Sequence, residues 1–297
     1  MRDGTNPDGE GARPILGDRR DPEVIERLVP VIEKLVEPWF QPVVYGLDRI
    51  PLEPALFVGN HSGGYVTPDS YVLACKMFRR FGAAGLPYGL GHEIIFKIPI
   101  LGDIQAYIGV VPASHDNGLA VLGRGHRLLV YPGGDIETMR PWRDRNRIRF
   151  DGRTGYIRLA LRAGVPIVPV VATGGHSTLL IIDDMRWLAR LLGVRRLFRL
   201  RVWPLFLAVP WGVALGPWMF FVPVPSRIFM EVMEPIRFER TGSEAALDRE
   251  YVRACADRVE SAMQDCLDRL AEERRASYAR TSRFERPDRL DQARMIR

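Results

Sequence analysis

A chain of 297 residues, 46% hydrophobic and 26% charged, is long enough to bury one large core with some attachments, and no internal repeat divides it. Net charge is +6 and almost all of the basic charge is arginine, because lysine occurs only at Lys34, Lys76 and Lys97. That balance admits anionic membranes, nucleic acid or phosphorylated small molecules as partners. Cys75, Cys255 and Cys266 have neither metal nor redox spacing, which argues against a zinc or thiol-redox module and suits a reducing compartment.

Residues 1–20 are polar and rich in Gly, Asp and Arg, and read as a disordered lead-in without a secretory signal. Asp21-Pro22 then starts an amphipathic helix over 21–41, with Val24, Ile25, Leu28, Val29, Ile32, Leu35, Val36 and Trp39 at helical spacing. It either packs on the catalytic domain or lies at a membrane interface with Trp39 and Phe40 at the boundary, and Pro30 counts against a straight rod. Residues 42–50 read as an edge strand.

The apolar run Ala55-Leu56-Phe57-Val58 reads as a buried strand that stops at Gly59-Asn60 and continues as His61-Ser62-Gly63-Gly64. Ligands of open α/β folds bind beyond the carboxyl ends of strands. A histidine there, with Asp69 eight positions on, can act as a general base oriented by an acid; the plainer alternative is a histidine that satisfies a turn. A helix over 71–81 follows and ends at Gly82. His92-Glu93 lacks the second histidine of a zinc-protease motif. A short strand and turn (107–114), a helix (116–125) and a strand (128–130) lead to a second glycine turn, Tyr131-Pro132-Gly133-Gly134-Asp135-Ile136-Glu137. Arg140, Arg143, Arg145, Arg147 and Arg149 come next, as a solvated basic loop or as a cradle for phosphates. A helix (155–163) and a strand (165–171) then lead to a third glycine turn, Thr173-Gly174-Gly175-His176.

Residues 202–226 carry no charge and are flanked by Arg195, Arg196, Arg199, Arg201 and Arg227. Such a run would suggest a membrane span, but Pro204, Pro210, Pro217, Pro223 and Pro225 break any continuous helix. It reads as short pieces folded on the domain that dip into one leaflet or wall an acyl tunnel, with Trp203, Trp211 and Trp218 suited to the interface. A wholly buried loop is the alternative. A strand (227–234) and a C-terminal helix (241–275) follow, the helix with Leu247, Tyr251, Cys255, Val259, Met263, Leu267 and Leu270 on one face. Residues 276–297 read as a basic, disordered tail able to touch anionic lipid.

The His61…Asp69 block and the Pro-Gly-Gly-x-x-Glu block at 132–137 resemble those of the glycerolipid acyltransferase family, over about residues 42 to 235. The second block is more similar to the branch that includes type-2 diacylglycerol acyltransferases. Seven residues separate His61 from Asp69, where the phosphate-acceptor branch has four. That branch also carries an arginine that holds the acceptor's phosphate at the place of Ser114 and His115, so its absence favours an acceptor without a glycerol phosphate.

The resemblance implies an α/β fold: a single domain over 42–240 with a central, mostly parallel sheet flanked by helices. It implies transfer of an acyl group from acyl-CoA, or from acyl carrier protein, to a hydroxyl of a glycerolipid or other lipid alcohol, with no metal and no bound cofactor. His61 would be the base and Asp69 its orienter. Ser62, Gly63, Gly64, Gly133 and Gly134 would line the substrate site, with the backbone amides around Gly63 and Gly64, or around Gly133 and Gly134, facing the oxyanion. Glu137 and His176 would help bind the acceptor, and Arg140 the phosphates of the donor. The expected place of work is the cytoplasmic face of a membrane, as a peripheral or monotopic protein on anionic lipid.

Other readings fit less well. A lipid esterase of the serine-hydrolase type needs a Gly-x-Ser-x-Gly elbow, and none occurs. There is no P-loop, and the basic residues are not interleaved with aromatics as in a nucleic-acid binder. A non-enzymatic lipid-binding protein would keep the apolar run and the arginines without needing His61.

Overall fold

The computed structural model of the chain describes residues 14–194, 200–216 and 221–284. Helix α1 (Pro22–Phe40) begins where the Asp21 carboxylate accepts from the N–H groups of Glu23 and Val24. It buries Ile25, Val29, Val36 and Phe40, and full burial of such side chains is worth about 1.5–3 kcal/mol each. That gain offsets the ~3 kcal/mol an interior proline costs, so the helix runs through Pro30 and Pro38. It packs on α2 (Pro68–Phe81), and Glu33–Arg79 and Glu37–Lys76 ion pairs close the contact. The packed arrangement is therefore the one adopted, with Val31, Leu35 and Trp39 left exposed.

Seven strands form the main sheet: β1 (Val43–Tyr45), β2 (Leu56–Gly59), β3 (Tyr88–Gly91), β4 (Val110–Pro112), β5 (Leu128–Val130), β6 (Ile167–Thr173) and β10 (Phe229–Val232), in the order β1-β10-β6-β2-β5-β3-β4. Only β10 and β6 run antiparallel; every other neighbouring pair is parallel. Crossover helices α3 (Leu101–Tyr107), α4 (His115–Gly123), α5 (Gly134–Thr138) and α6 (Gly155–Ala163) connect the strands. The sheet is covered on both faces. Leu56 and Val58 join a core with Val121, Ile157, Val259 and Met263, while Phe57 joins Ile25, Val29, Val72 and Met77 on the other side. Alternate residues of one strand point to opposite faces, so a strand buried on both sides must be apolar throughout. That is why β2 and β6 read as unbroken apolar runs.

A second, three-stranded antiparallel sheet consists of β7 (Leu180–Asp183), β8 (Leu205–Ala208) and β9 (Gly212–Leu215), in that order. The uncharged stretch 202–226 thus contributes a hairpin rather than a helix, and residues 217–220 lie outside the described part. Phe206, Ala208 and Val202 are buried with Ile136, Met139, Leu179 and Ile181, so one face of this sheet packs on the main domain. No helix among the described residues is long and apolar enough to cross a membrane.

The C-terminal helix departs from expectation at both ends. After α7 (Arg186–Leu191) come α8 (Ser243–Leu247) and α9 (Arg249–Phe284), parted by the extended backbone of Asp248. Leu247 lies on α8 and is 79% exposed, so it does not share the buried face of Cys255, Val259, Met263, Leu267 and Leu270. The helix continues to Phe284, into the stretch expected to be disordered. Residues 14–20, expected to belong to a disordered lead-in, are packed: Ile15 is buried in the core and Arg20 donates to the carbonyls of Ala83 and Leu86. Residues 1–13 and the rest of the tail lie outside the described residues.

Candidate active site

The three glycine turns leave the carboxyl ends of β2, β5 and β6, which are adjacent strands. Val58 of β2 is level with Val130 of β5 and Pro169 of β6, so the turns emerge side by side. Asn60 latches the end of β2 to β6: its Nδ2 donates to Ala172 O at 2.9 Å and its Oδ1 accepts from Ala172 N–H at 2.8 Å. The amide side chain extends the ladder by one residue, and His61 is the first residue beyond it.

The His61 ring stacks on Tyr131, with centroids 4.2 Å apart and planes 15° from parallel. Gly59 permits this approach, because a Cβ there would lie 2.4 Å from the Tyr131 ring. Nδ1 of His61 faces Oδ2 of Asp69 at 3.9 Å. Asp69, in the first turn of α2, is 2% exposed, and neither of its oxygens nor His61 Nδ1 has a hydrogen-bond partner. The seven-residue connection therefore folds the carboxylate back toward the imidazole, beyond hydrogen-bond length, and Asp69 does not cap its helix.

Glu137 and Arg140 are fully buried. Glu137 accepts from the His61 N–H at 3.0 Å through Oε2 and from the Arg149 N–H at 3.1 Å through Oε1. Arg140 donates to the carbonyls of His61 (2.7 Å), Glu137 (2.9 Å) and Arg145 (3.0 Å), and its guanidinium lies 3.7 Å from Glu137. Burial pushes the Glu137 carboxyl up, while Arg140 and the two amides pull it back. Both side chains were expected to touch substrate. Glu137 instead spends both oxygens, and Arg140 both terminal nitrogens, on the backbone, and the His61 turn is gripped at its N–H and its carbonyl.

The third turn is also directed inward. His176 is 3% exposed, and its Nδ1 accepts from the Gly63 N–H at 2.9 Å, so the ring proton is on Nε2. Burial first, then Arg140 and His61, pushes its pKa well below the ordinary histidine value, so it stays neutral. Gly63 makes this bond at φ +79, a backbone conformation glycine adopts without penalty. The bond consumes one of the amides expected to face an oxyanion. Gly64 accepts from Thr138 Oγ1 at 2.7 Å, and the Gly134 N–H returns to Tyr131 O at 3.2 Å. Arg153 holds the Pro132 and Gly133 carbonyls at 2.9 and 3.0 Å. Ser62 Oγ is buried without a hydrogen-bond partner.

On the other side of Tyr131 lies a cavity of about 280 Å³, walled by Leu90, Ser114, His115, Val130, Tyr131 and Tyr156. The arginines after the second turn are mostly paired: Arg143 with Asp183 (3.5 Å), and Arg149 with Asp144 (3.5 Å) and Asp184 (4.0 Å). Arg145 lies over the Trp142 ring. No cluster able to hold a metal occurs among the described residues. Tyr131, Asn60 and Arg153 escaped the sequence reading. Tyr131 alone carried a signal, as the first residue of a turn opposite a strand-end histidine.

Comparisons with known proteins show which class this arrangement resembles. Residues 41–173 match the sequence model of the family described as Acyltransferase. It is 29% identical over 258 residues to an uncharacterized protein of Mycobacterium tuberculosis, covering 86% of this chain and 69% of that one. It is 28% identical over 162 residues to the human DGAT1/2-independent enzyme synthesizing storage lipids, covering 54% of this chain and 45% of the relative. It also resembles the crystal structure of the 1-acyl-sn-glycerophosphate (LPA) acyltransferase PlsC from Thermotoga maritima, with 18% identity, TM-score 0.48 and 84% of each chain covered.

Proposed function

We propose that the protein is an acyl-CoA-dependent O-acyltransferase that esterifies a hydroxyl of a glycerolipid or other lipid alcohol at the cytoplasmic face of a membrane, with His61 as general base. The observation that carries this reading is the placement of His61: Nδ1 is turned to a buried carboxylate 3.9 Å away, which leaves Nε2 for the acceptor. Nε2 takes the hydroxyl proton as the oxygen attacks the thioester carbon. The new C–O bond forms, the C–S bond breaks, and the departing thiolate recovers the proton from the imidazolium. Such general-base assistance is worth on the order of 10²–10⁴-fold. Asp69 favours the imidazolium that forms. Tyr131 fixes the plane of the ring, and Glu137 and Arg140 fix its backbone.

With the Gly63 N–H committed to His176, the oxyanion donors in this reading are the amides of Gly64 and Gly133. The acceptor class is supported by the cavity beyond Tyr131, where Leu90, Val130, Tyr156 and Leu159 supply apolar wall. Arg153, which also lines it, is held by two carbonyls and Asp135, so no arginine is free to grip a phosphate there. The kinship with a storage-lipid enzyme points the same way. An esterase reading finds less support, since Ser62 Oγ is bonded to neither imidazole. A cytoplasmic setting agrees with three free, buried cysteines.

The test is transfer of radiolabelled acyl groups from acyl-CoA, and in parallel from acyl carrier protein, to a panel of lipid alcohols. The wild type should acylate one of them, and His61→Ala should lose at least about a hundredfold with the fold intact. A folded His61→Ala protein with normal turnover would overturn the mechanism.

A further inference from the structure

The β7-β8-β9 sheet has one face in the protein and one face outside. Ile181, Phe206 and Ala208 point inward and are buried. In register across the three strands, Leu180 pairs with Leu207 and Leu207 with Val213. These side chains stand on the outer face at 40%, 39% and 68% exposure. Ile182 and Leu215 continue the same face, and Trp211 lies exposed at the hairpin tip between β8 and β9. The patch then extends sideways, because Val222 bridges to Val209 and the Val224 N–H donates to Thr178 O. Trp39 of α1, itself exposed, donates its indole N–H to Pro223 O at 2.8 Å. A half-buried sheet ordinarily alternates apolar inward and polar outward. Here the outer positions are apolar as well, and a contiguous patch of this kind marks an interaction surface.

The charge beside the patch says what covers it. A cavity of about 280 Å³ is lined by Arg186, Arg190 and Arg201 with Asp151 and Ile136. Ile136 also belongs to the core beneath the sheet, so the cavity adjoins that core. Arg186 Nε donates to Asp184 at 2.8 Å, and Arg201 Nη1 to Asp151 at 2.9 Å. Arg186 Nη2, however, is buried without a partner. Trp187, Leu191 and Leu192, within and just after the same helix α7, are exposed. Exposed aliphatic and tryptophan side chains next to arginines match the layered chemistry of a bilayer surface, with apolar tails below and anionic phosphates above. A second copy of this basic chain would bring like charge against like.

We infer that the outer face of β7-β8-β9 is the surface on which the protein docks to an anionic phospholipid leaflet, with the Arg186–Arg190–Arg201 cavity receiving lipid phosphate at its rim. This rests on the reading of a protein that works at a membrane face and names the surface that meets it; vesicle binding requires no turnover, so it can fail while acyl transfer stands. It also brings the leaflet next to the His61 turn: a Cβ on Gly64 would touch Leu179, immediately before β7, and Phe221.

The test is co-sedimentation of the full chain with vesicles of phosphatidylcholine alone, or of phosphatidylcholine and phosphatidylglycerol in equal parts, without substrate. Binding to the anionic vesicles should exceed binding to the neutral ones by at least about tenfold and weaken with added salt. Val213→Asp should lower it at least about tenfold, and Leu207→Ser should lower it too, which guards against misfolding of the first variant. Arg190→Gln should narrow the anionic preference and leave weak neutral binding unchanged. Leu52→Asp, a change at a still more exposed leucine ahead of the start of β2, should have no effect. Equal binding to both vesicles, or unchanged binding of folded Val213→Asp, would overturn the inference. So would a dimer dissolved by Val213→Asp in a protein that ignores vesicles, because the face would then belong to a second copy.

Discussion

The backbone N–H of His61 donates to Oε2 of Glu137 at 3.0 Å, tying the residue beyond β2 to the helix that follows β5. The two are 76 positions apart in the chain. Glu137 carries its charge into a fully buried place, where it serves two amides and one guanidinium at once.

Glu137→Ala should therefore be costly. It leaves Arg140 buried without its counter-charge and two N–H groups without acceptors, and breaking such a pair typically costs about 3–5 kcal/mol. Glu137→Gln keeps one carbonyl acceptor and should lose less. Urea unfolding measures both, and a loss below about 1 kcal/mol for the alanine variant would contradict this bracing role.

Asp69→Asn should do the opposite to stability. A buried carboxylate with no hydrogen-bond partner is held at the expense of its desolvation. Neutralising it should stabilise the fold by about 1 kcal/mol while turnover falls by about tenfold or more, the pattern of a site that trades stability for activity. A variant both less stable and fully active would show that Asp69 serves the fold rather than His61.

Gly59→Ala tests the stacking of Tyr131 on His61. The added methyl would meet the tyrosine ring at 2.4 Å, and overpacking of this kind costs about 1–3 kcal/mol. Because the ring must move, turnover should fall more than acyl-CoA binding does. A kcat equal to that of wild type would mean the stacking has no part in placing the base.

Acid should weaken the protein through His176. Its folded pKa lies well below the ordinary value of 6.5 because the buried, Arg140-flanked ring resists a proton. The unfolded chain then binds a proton that the folded one refuses. The associated stability is present above pH 6.5 and is lost as pH falls from there toward the folded pKa, at up to about 1.4 kcal/mol per pH unit. Urea midpoints on either side of pH 6.5 should show this slope. His176→Asn, which retains an acceptor for the Gly63 N–H, should flatten it; an unchanged slope would assign the effect elsewhere.

The three strands that carry the glycine turns were legible because their apolar runs end sharply at Gly-Asn, Pro-Gly-Gly and Thr-Gly-Gly, whereas β3, with two glycines in four residues, and the β7-β8-β9 sheet were not. What lay beyond reach was which turn grips which. The contacts of His61 with Glu137 and of Gly63 with His176 span 76 and 113 residues; strand order sets them, and local periodicity does not encode strand order. Hence Glu137, by resemblance, and Arg140, as part of the basic loop, read as ligand-facing groups, because nothing local in the sequence shows that both turn inward. The outer face of β8 and β9 was legible as an apolar run, but its pairing with β7 was not. The end of α9 was missed because residues beyond 275 lack an apolar stripe, and the helix there does not depend on one.

The side-by-side emergence of three turns from β5, β2 and β6 has an evolutionary consequence. Their spacing is that of neighbouring strands, about 4.7–4.9 Å, whatever lies between them in the chain. A crossover helix can be lengthened, shortened or exchanged, and loop insertion carries only a small entropic cost. The turn from Ala113 to His115 lines the cavity and makes none of the bonds that hold the His61 turn, so it can diverge, and with it the cavity wall, while the histidine keeps its coordinates. New substrates are open to such a scaffold by editing its connections alone.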